Sequence, residues 1–316
     1  MHDFQTDDFP ESAFPLPPGA QRAGSLRRDR GRARMAGTRI AITGLARNLG
    51  HILPRTIRRV ERLAALFADY RVFVYENDSQ DDTKPILRAW SAANRRVHVT
   101  TETLSDPGND TSRCLRRVER MARYRQRCQE QVLDRCSEFD ATIVIDLDIQ
   151  GGFSADGVAD TFGWDDWDFI GANGLIFRRE GLRVNSLRQY DMWALRFDAA
   201  MTPIPTARAH SHLYRVGDPL VPVTSCFGGL GVYTMDAFRA GRYAGTDCEH
   251  VAFHRHLIEH GFRRLFLNPS QLVVYGRRHR FGDACVHRVL DTIDVLAGRR
   301  PAAWAFAREP AGRRAA

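Results

Sequence analysis

The sequence predicts an α/β fold: a mainly parallel sheet flanked by helices in a single domain. Three observations carry that prediction. Short strand-like and longer helix-like segments alternate from residue 39 to residue 275, the pattern of parallel strands joined by helical crossovers. Two of the strand-like runs, 71–75 (RVFVY) and 141–145 (ATIVI), are apolar at consecutive positions, as strands covered on both faces must be. Both runs lead directly into acids, and an open parallel sheet binds ligands beyond the carboxyl ends of its strands.

The elements follow in order. Residues 39–43 (RIAIT) end at Gly44 and give a first strand. Pro54 suits a helix start, and Ile57, Val60, Ala64 and Phe67 follow at helical spacing. The strand 71–75 comes next, then a helix over 84–93 and a third strand over 97–100. Residues 115–136 form a long helix, followed by the strand 141–145. After Gly174 the pattern loosens until a short helix at 236–239 and a longer one at 249–260. Two short strands, 264–267 and 271–275, close the domain. The expected organisation is a flexible tail over 1–37, a domain over 38–298 and a basic tail over 299–316.

Composition limits the function classes. The chain has 316 residues, 43% apolar and 27% charged, which is globular rather than disordered. No run approaches the ~18 apolar residues that span a bilayer, and the N-terminus has no apolar core of a secretory signal. The formal charge of +8 lies largely in the tails: residues 299–316 hold five arginines against one acid. The body has no basic stripe interleaved with aromatics, so nucleic-acid binding is not expected. The six cysteines form no C-x-x-C pair, so the expectation is reduced thiols in a cytoplasmic protein. Peripheral contact of the basic tail with anionic lipid is a further expectation.

Chemistry is expected where the acids fall. The strand 71–75 runs into Glu76, Asn77, Asp78, Asp81 and Asp82, and the strand 141–145 into Asp146 and Asp148. Residues two apart in an extended segment point the same way, so Asp146 and Asp148 aim at one point. Paired carboxylates repel unless a cation relieves them; oxygen ligands suit Mg²⁺ or Mn²⁺, which also bind diphosphate oxygens. Asp-x-Asp alone is unspecific, and a strand running into a hydrated acidic turn reads the same. Arg125 falls on the apolar stripe of the long helix with Leu115, Val118, Ala122, Cys128, Val132 and Cys136; a buried arginine needs an anion, either a diphosphate or an acid of the chain. Gly228 and Gly229 let a ligand lie against backbone. Asp247 is placed to cap the last helix, and Glu249 falls in its first turn. His250/His254 and His256/His260 are i, i+4 pairs without an H-E-x-x-H motif, read as ordinary helix histidines rather than a zinc site.

Taken together, Arg47-Asn48, YENDSQDDT, RRVERMARYRQR, IDLD, FGGLGVY and CEHVAFHRHLIEHGFRRLFLNP resemble the GT-A glycosyltransferases, and within them the fungal capsule-associated mannosyltransferase group. The resemblance covers residues 39–275. It implies a GT-A fold and transfer of a sugar from a UDP- or GDP-linked donor to a sugar or glycan acceptor. It implies that Asp146 and Asp148 hold Mn²⁺ or Mg²⁺, with His279 as a further ligand. Arg47, Asn48, Glu76, Asp78 and Arg125 would surround the donor, Gly228 and Gly229 would border the donor sugar or the acceptor, and in an inverting enzyme Glu249, His250 or Asp247 would supply the base. The second acid of the family's Glu-Asp pair is His250 here, which leaves the base open. Rival readings are a binding protein of the same fold without turnover, an aspartate-dependent phosphatase built on Asp146 and Asp148, and a nucleotidyltransferase. Gln150 departs from the phosphatase pattern, and TGLARNLGH is a poor phosphate loop.

Overall fold

A computed structural model describes residues 9–108, 114–180, 183–204 and 214–276, with 177–180 and 183–188 described by backbone alone. His279 and the tail over 299–316 lie outside the described residues. Ten strands among the described residues form one sheet in the order β3-β2-β1-β4-β9-β6-β10-β5, with β7 added to β6 and β8 to β10. The strands are β1 Arg39–Ala46, β2 Asp69–Asn77, β3 Val97–Glu102, β4 Ala141–Ile145, β5 Gly152–Phe153, β6 Phe169–Glu180, β7 Arg183–Gln189, β8 Val221–Pro222, β9 Leu230–Thr234 and β10 Leu265–Val274. The helices are α1 Gln21–Met35, α2 Leu53–Ala64, α3 Thr83–Ala93, α4 Leu115–Cys136, α5 Ala155–Phe162, α6 Met235–Ala240 and α7 Glu249–Glu259.

The α/β expectation is met. β3, β2, β1 and β4 run parallel, and their residues alternate between two apolar layers. Ile40, Ile42, Val72, Val74, Ile143 and Ile145 belong to one; Ala41, Phe73 and Val144 belong to the other. Burial on both faces is why these strands lack a polar alternation. β9 then runs antiparallel between β4 and β6. The two short strands expected at the end are one strand, β10, irregular between Asn268 and Leu272. The sequence hid its continuity because Asn268, Ser270 and Gln271 are polar yet fully buried, each hydrogen-bonded inside.

Residues 21–35 correct the expectation of a flexible tail. They form α1, which lies along α5. A Cβ at Gly31 would come 1.7 Å from the Ala159 carbonyl oxygen, so the two backbones touch. Arg27 Nε sits 2.8 Å from the fully buried Asp160, and Arg32 pairs with Asp156 at 2.6 Å. The contact is made by glycines and ion pairs rather than an apolar stripe, so helical periodicity did not reveal it. No helix among the described residues is long and apolar enough to cross a membrane.

Candidate active site

The carboxyl ends of β1, β2 and β4 converge with the N-terminus of α7, and the sequence-predicted residues divide into two groups there. The first group builds the loops. Asn48 and Asp78 adopt left-handed backbone (φ 54° and 55°), a conformation that Asn and Asp tolerate best among non-glycine residues. Asn48 Oδ1 accepts from the Gln80 amide at 2.8 Å. Asp78 accepts from the amides of Leu104, Ser105 and Asp106 at 2.8–3.1 Å. Burial would raise the Asp78 carboxyl, but the Asn77 side chain and these amides hold it below the usual carboxylate range. Arg47 donates to the carbonyls of Asp106 and Pro107. Asp78 and Arg47 thus pin the loop after β3. Glu76 differs: it is fully buried, one oxygen accepts from the Ser79 amide at 2.8 Å, and Oε2 has no partner. A buried acceptor without a donor is costly unless a ligand supplies one.

The second group is one charge network. Arg125 is 5% exposed on the inner face of α4. Its Nη2 lies 2.9 Å from Asp146 Oδ1 and its Nε 3.2 Å from Glu249 Oε1. A single guanidinium therefore ties the acid after β4 to the acid that opens α7. Its Cζ sits 5.0 Å from the centroid of Phe227, and Phe227 stacks on His250 at 3.7 Å and 16°. The bland alternative for Arg125, pairing with an acid of the chain, is what the structure contains. Burial, reinforced by the neighbouring Asp148 charge, pushes the Asp146 carboxyl up to about 7 against the pull of Arg125. The Tyr275 hydroxyl donates to Asp148 Oδ2, and Tyr275 stacks on Tyr190 at 4.1 Å. Thr56 and Arg59 of α2 donate to the carbonyls of Leu147, Ile149 and Gln150, which fixes the backbone that carries the two aspartates.

Around α7 the expectations change. Asp247 does not cap the helix; Cys248 occupies the cap without a side-chain bond. Asp247 instead accepts from the Cys248 amide at 2.6 Å and meets the fully buried Arg196 at 3.4 Å. His250 is 2% exposed with neither ring nitrogen bonded. Burial and the nearby Arg125 drive its pKa far below the ordinary imidazole value, so it is neutral. His254 bridges Ser225 and Tyr233 at 2.9 and 3.0 Å. Among the described residues no three His, Cys, Asp or Glu side chains are grouped as a metal site.

Gly228 and Gly229 have φ of 66° and 91°. A Cβ at Gly228 would meet the Ala172 carbonyl oxygen at 2.2 Å, so close backbone packing alone demands a glycine. This loop also locates acids. The Gly229 carbonyl accepts from the Asp146 amide at 2.9 Å, and the Gly228 amide donates to Asp191 Oδ2 at 3.3 Å. Asp191 is a residue the sequence reading missed. It has φ 58°, and burial, reinforced by Asp146 and Glu249, pushes its carboxyl up to about 8. Its signal was available: it stands just past a strand end, as Asp78 and Asp146 do, but β7 lies in the stretch where periodicity loosens.

The family model described as Cryptococcal mannosyltransferase 1 matches residues 39–264. No curated protein matches the chain. The mannosyltransferase PcManGT from Pyrobaculum calidifontis, solved with GDP-Man and Mn2+, is similar in structure at 11% identity and TM-score 0.46, over 93% of this chain and 74% of that one. Glucosyl-3-phosphoglycerate synthase of M. tuberculosis is similar at 16% identity and TM-score 0.43, over 87% and 86%. GalNAc-T7 with UDP, GalNAc and Mn2+ is similar at 11% identity and TM-score 0.44, over 83% and 53%.

Proposed function

The chain belongs to the cryptococcal mannosyltransferase 1 family and is a glycosyltransferase; from that premise we propose that it moves a sugar from a UDP- or GDP-linked donor to a hydroxyl of a sugar or glycan acceptor, with Mn²⁺ or Mg²⁺, in the cytoplasm. The observation that carries this reading is the Arg125 bridge. It joins Asp146 to Glu249, so the group suited to the donor's diphosphate and the group suited to the acceptor belong to one fixed unit. Asp146 and Asp148 would hold a divalent ion, with diphosphate oxygens and water completing the coordination, through the oxygens left by Arg125 and Tyr275. Such an ion would neutralise charge on the departing diphosphate.

The remaining work belongs to the chain's own side chains. Arg125 orients Asp146 and offers a buried positive charge beside the diphosphate. Glu76, through its unpartnered oxygen, is suited to an N–H of the nucleobase. In an inverting reaction Glu249 would take the proton of the acceptor hydroxyl as the new C–O bond forms and the sugar–phosphate bond breaks. His250, buried and neutral beneath Phe227, is less suited to that role. Thr56 and Arg59 keep the aspartate loop from shifting. A second reading, binding without turnover, draws on the fact that Arg125 already occupies both Asp146 and Glu249.

Calorimetric titration with GDP-mannose and UDP-glucose, with and without Mn²⁺, tests the proposal. One of them should bind at least tenfold tighter with the ion, and D148A should abolish that gain. Binding that ignores Mn²⁺ and D148A refutes the metal role. Tight binding with no product by mass spectrometry selects the second reading.

A further inference from the structure

Asp191 stands beside this network and takes no part in the reaction proposed for it. It follows β7, and its Oδ2 accepts from the Gly228 amide at 3.3 Å, while Oδ1 carries no hydrogen bond and is not among the buried unpartnered atoms. The residue is only partly buried, so that oxygen is open to an incoming hydrogen-bonding partner. The next residue of the same loop, Gly229, holds the Asp146 amide by its carbonyl, so neighbouring glycines tie Asp191 and Asp146 to one loop, at whose Gly228 a Cβ would meet the Ala172 carbonyl oxygen at 2.2 Å. Asp191 lies within the electrostatic reach of both Asp146 and Glu249. A second unpaired polar group borders the same network: His250, 2% exposed, with both ring nitrogens free of partners and Nε2 3.9 Å from Glu249 Oε1.

In a displacement at a sugar carbon, the ring must lie between the leaving phosphate and the attacking oxygen. The Asp146 end is suited to the former and the Glu249 end to the latter. Asp191, bonded to the Gly228 amide next to the Gly229 carbonyl that holds Asp146, stands beside the Asp146 end, where the ring would lie. No cation of the chain forms an ion pair with Asp191 among the described contacts, so its free oxygen is directed at a neutral hydrogen-bonding partner rather than a charge. Sugar hydroxyls are such partners, and a site built to hydrogen-bond one rejects analogues that lack it. We propose that Asp191 is a specificity-determining residue whose free carboxyl oxygen hydrogen-bonds a ring hydroxyl of the transferred sugar. This rests on the glycosyltransferase reading of the same site.

The experiment compares sugar nucleotides with plain nucleotides. Wild type, D191A and D191N are titrated with GDP-mannose and GDP, and with UDP-glucose and UDP, all with Mn²⁺. Removing one partner of a buried hydrogen bond and leaving the other unpaired corresponds to roughly a tenfold change in affinity. D191A should weaken the preferred sugar nucleotide by that factor and leave its nucleoside diphosphate within about twofold. D191N, which keeps the volume and one acceptor oxygen, should lose less; it carries the same comparison if D191A does not fold. Equal weakening of sugar nucleotide and nucleotide overturns the proposal in favour of a loop-holding role. No change in either overturns it, as does a change confined to the acceptor's KM. If wild type binds none of the four nucleotides, the glycosyltransferase reading fails instead.

Discussion

Replacing Arg125 by Met isolates the bridge on which the site depends. Met keeps much of the volume and removes the charge. The wild-type guanidinium makes one ion pair of 2.9 Å with Asp146 and one of 3.2 Å with Glu249, where the three side chains are 5%, 19% and 8% exposed. Removing one partner of a buried pair costs about 3–5 kcal/mol because the remaining charge is stranded. Here two acids are stranded beside Asp148, but Asp146 is partly wetted, so about 3 kcal/mol is expected. At roughly 2–4 °C per kcal/mol for a chain of this order of size, the melting temperature should fall by about 6–12 °C. R125K should fall by less, since a point charge cannot span both acids as a planar fork does. The decisive assay is a double-mutant cycle by thermal and denaturant unfolding. In the R125M background, E249Q removes one stranded charge and should recover about 1–2 kcal/mol, whereas E249Q alone should destabilise. If R125M melts within a degree of wild type, or the two substitutions simply add, the guanidinium does not hold these acids together.

Three further outcomes follow. His254 is buried with its pKa depressed to about 3, so the folded state excludes a proton that the unfolded chain takes up below about 6.5; its stabilisation is complete above that pH and is lost as pH falls, by up to about 1.4 kcal/mol per unit. H254Q should flatten the acid limb of the stability curve between pH 6.5 and 4.5, and parallel curves would rule this out. G228A must place a Cβ 2.2 Å from the Ala172 carbonyl oxygen at φ 66°, and denaturant unfolding should show a loss of about 2–4 kcal/mol; a neutral result would mean that the loop is not tightly packed. Truncation before Gly37 strips Arg27 from the buried Asp160 and uncovers the face of α5. It should lower the melting temperature by several degrees, and an unchanged melting curve would restore the picture of a dispensable tail.

The sequence by itself determined the parallel half of the sheet. Residues 71–75 and 141–145 are apolar on both faces, a constraint written in consecutive positions and legible without any neighbour in space. The long helix over 115–136 was legible for the same reason, as was the anomaly of Arg125 on its stripe, although Leu115 at the stripe's start is 63% exposed. The acids at strand ends marked the place where Asp146 and Asp148 lie. What only the tertiary structure decided is which of these charges are engaged. Asp78 and Arg47 close a loop through backbone amides and carbonyls, partners that carry no residue identity. Arg125 joins acids 21 and 124 residues away in sequence, and Asp191 is fixed by an amide 37 residues on. Helix α1 docks through glycines and ion pairs across more than 120 residues. Hydrophobic periodicity is a local property of the chain and can be read along it, whereas the pairing of a charge depends on which distant segment the fold brings within about 3 Å.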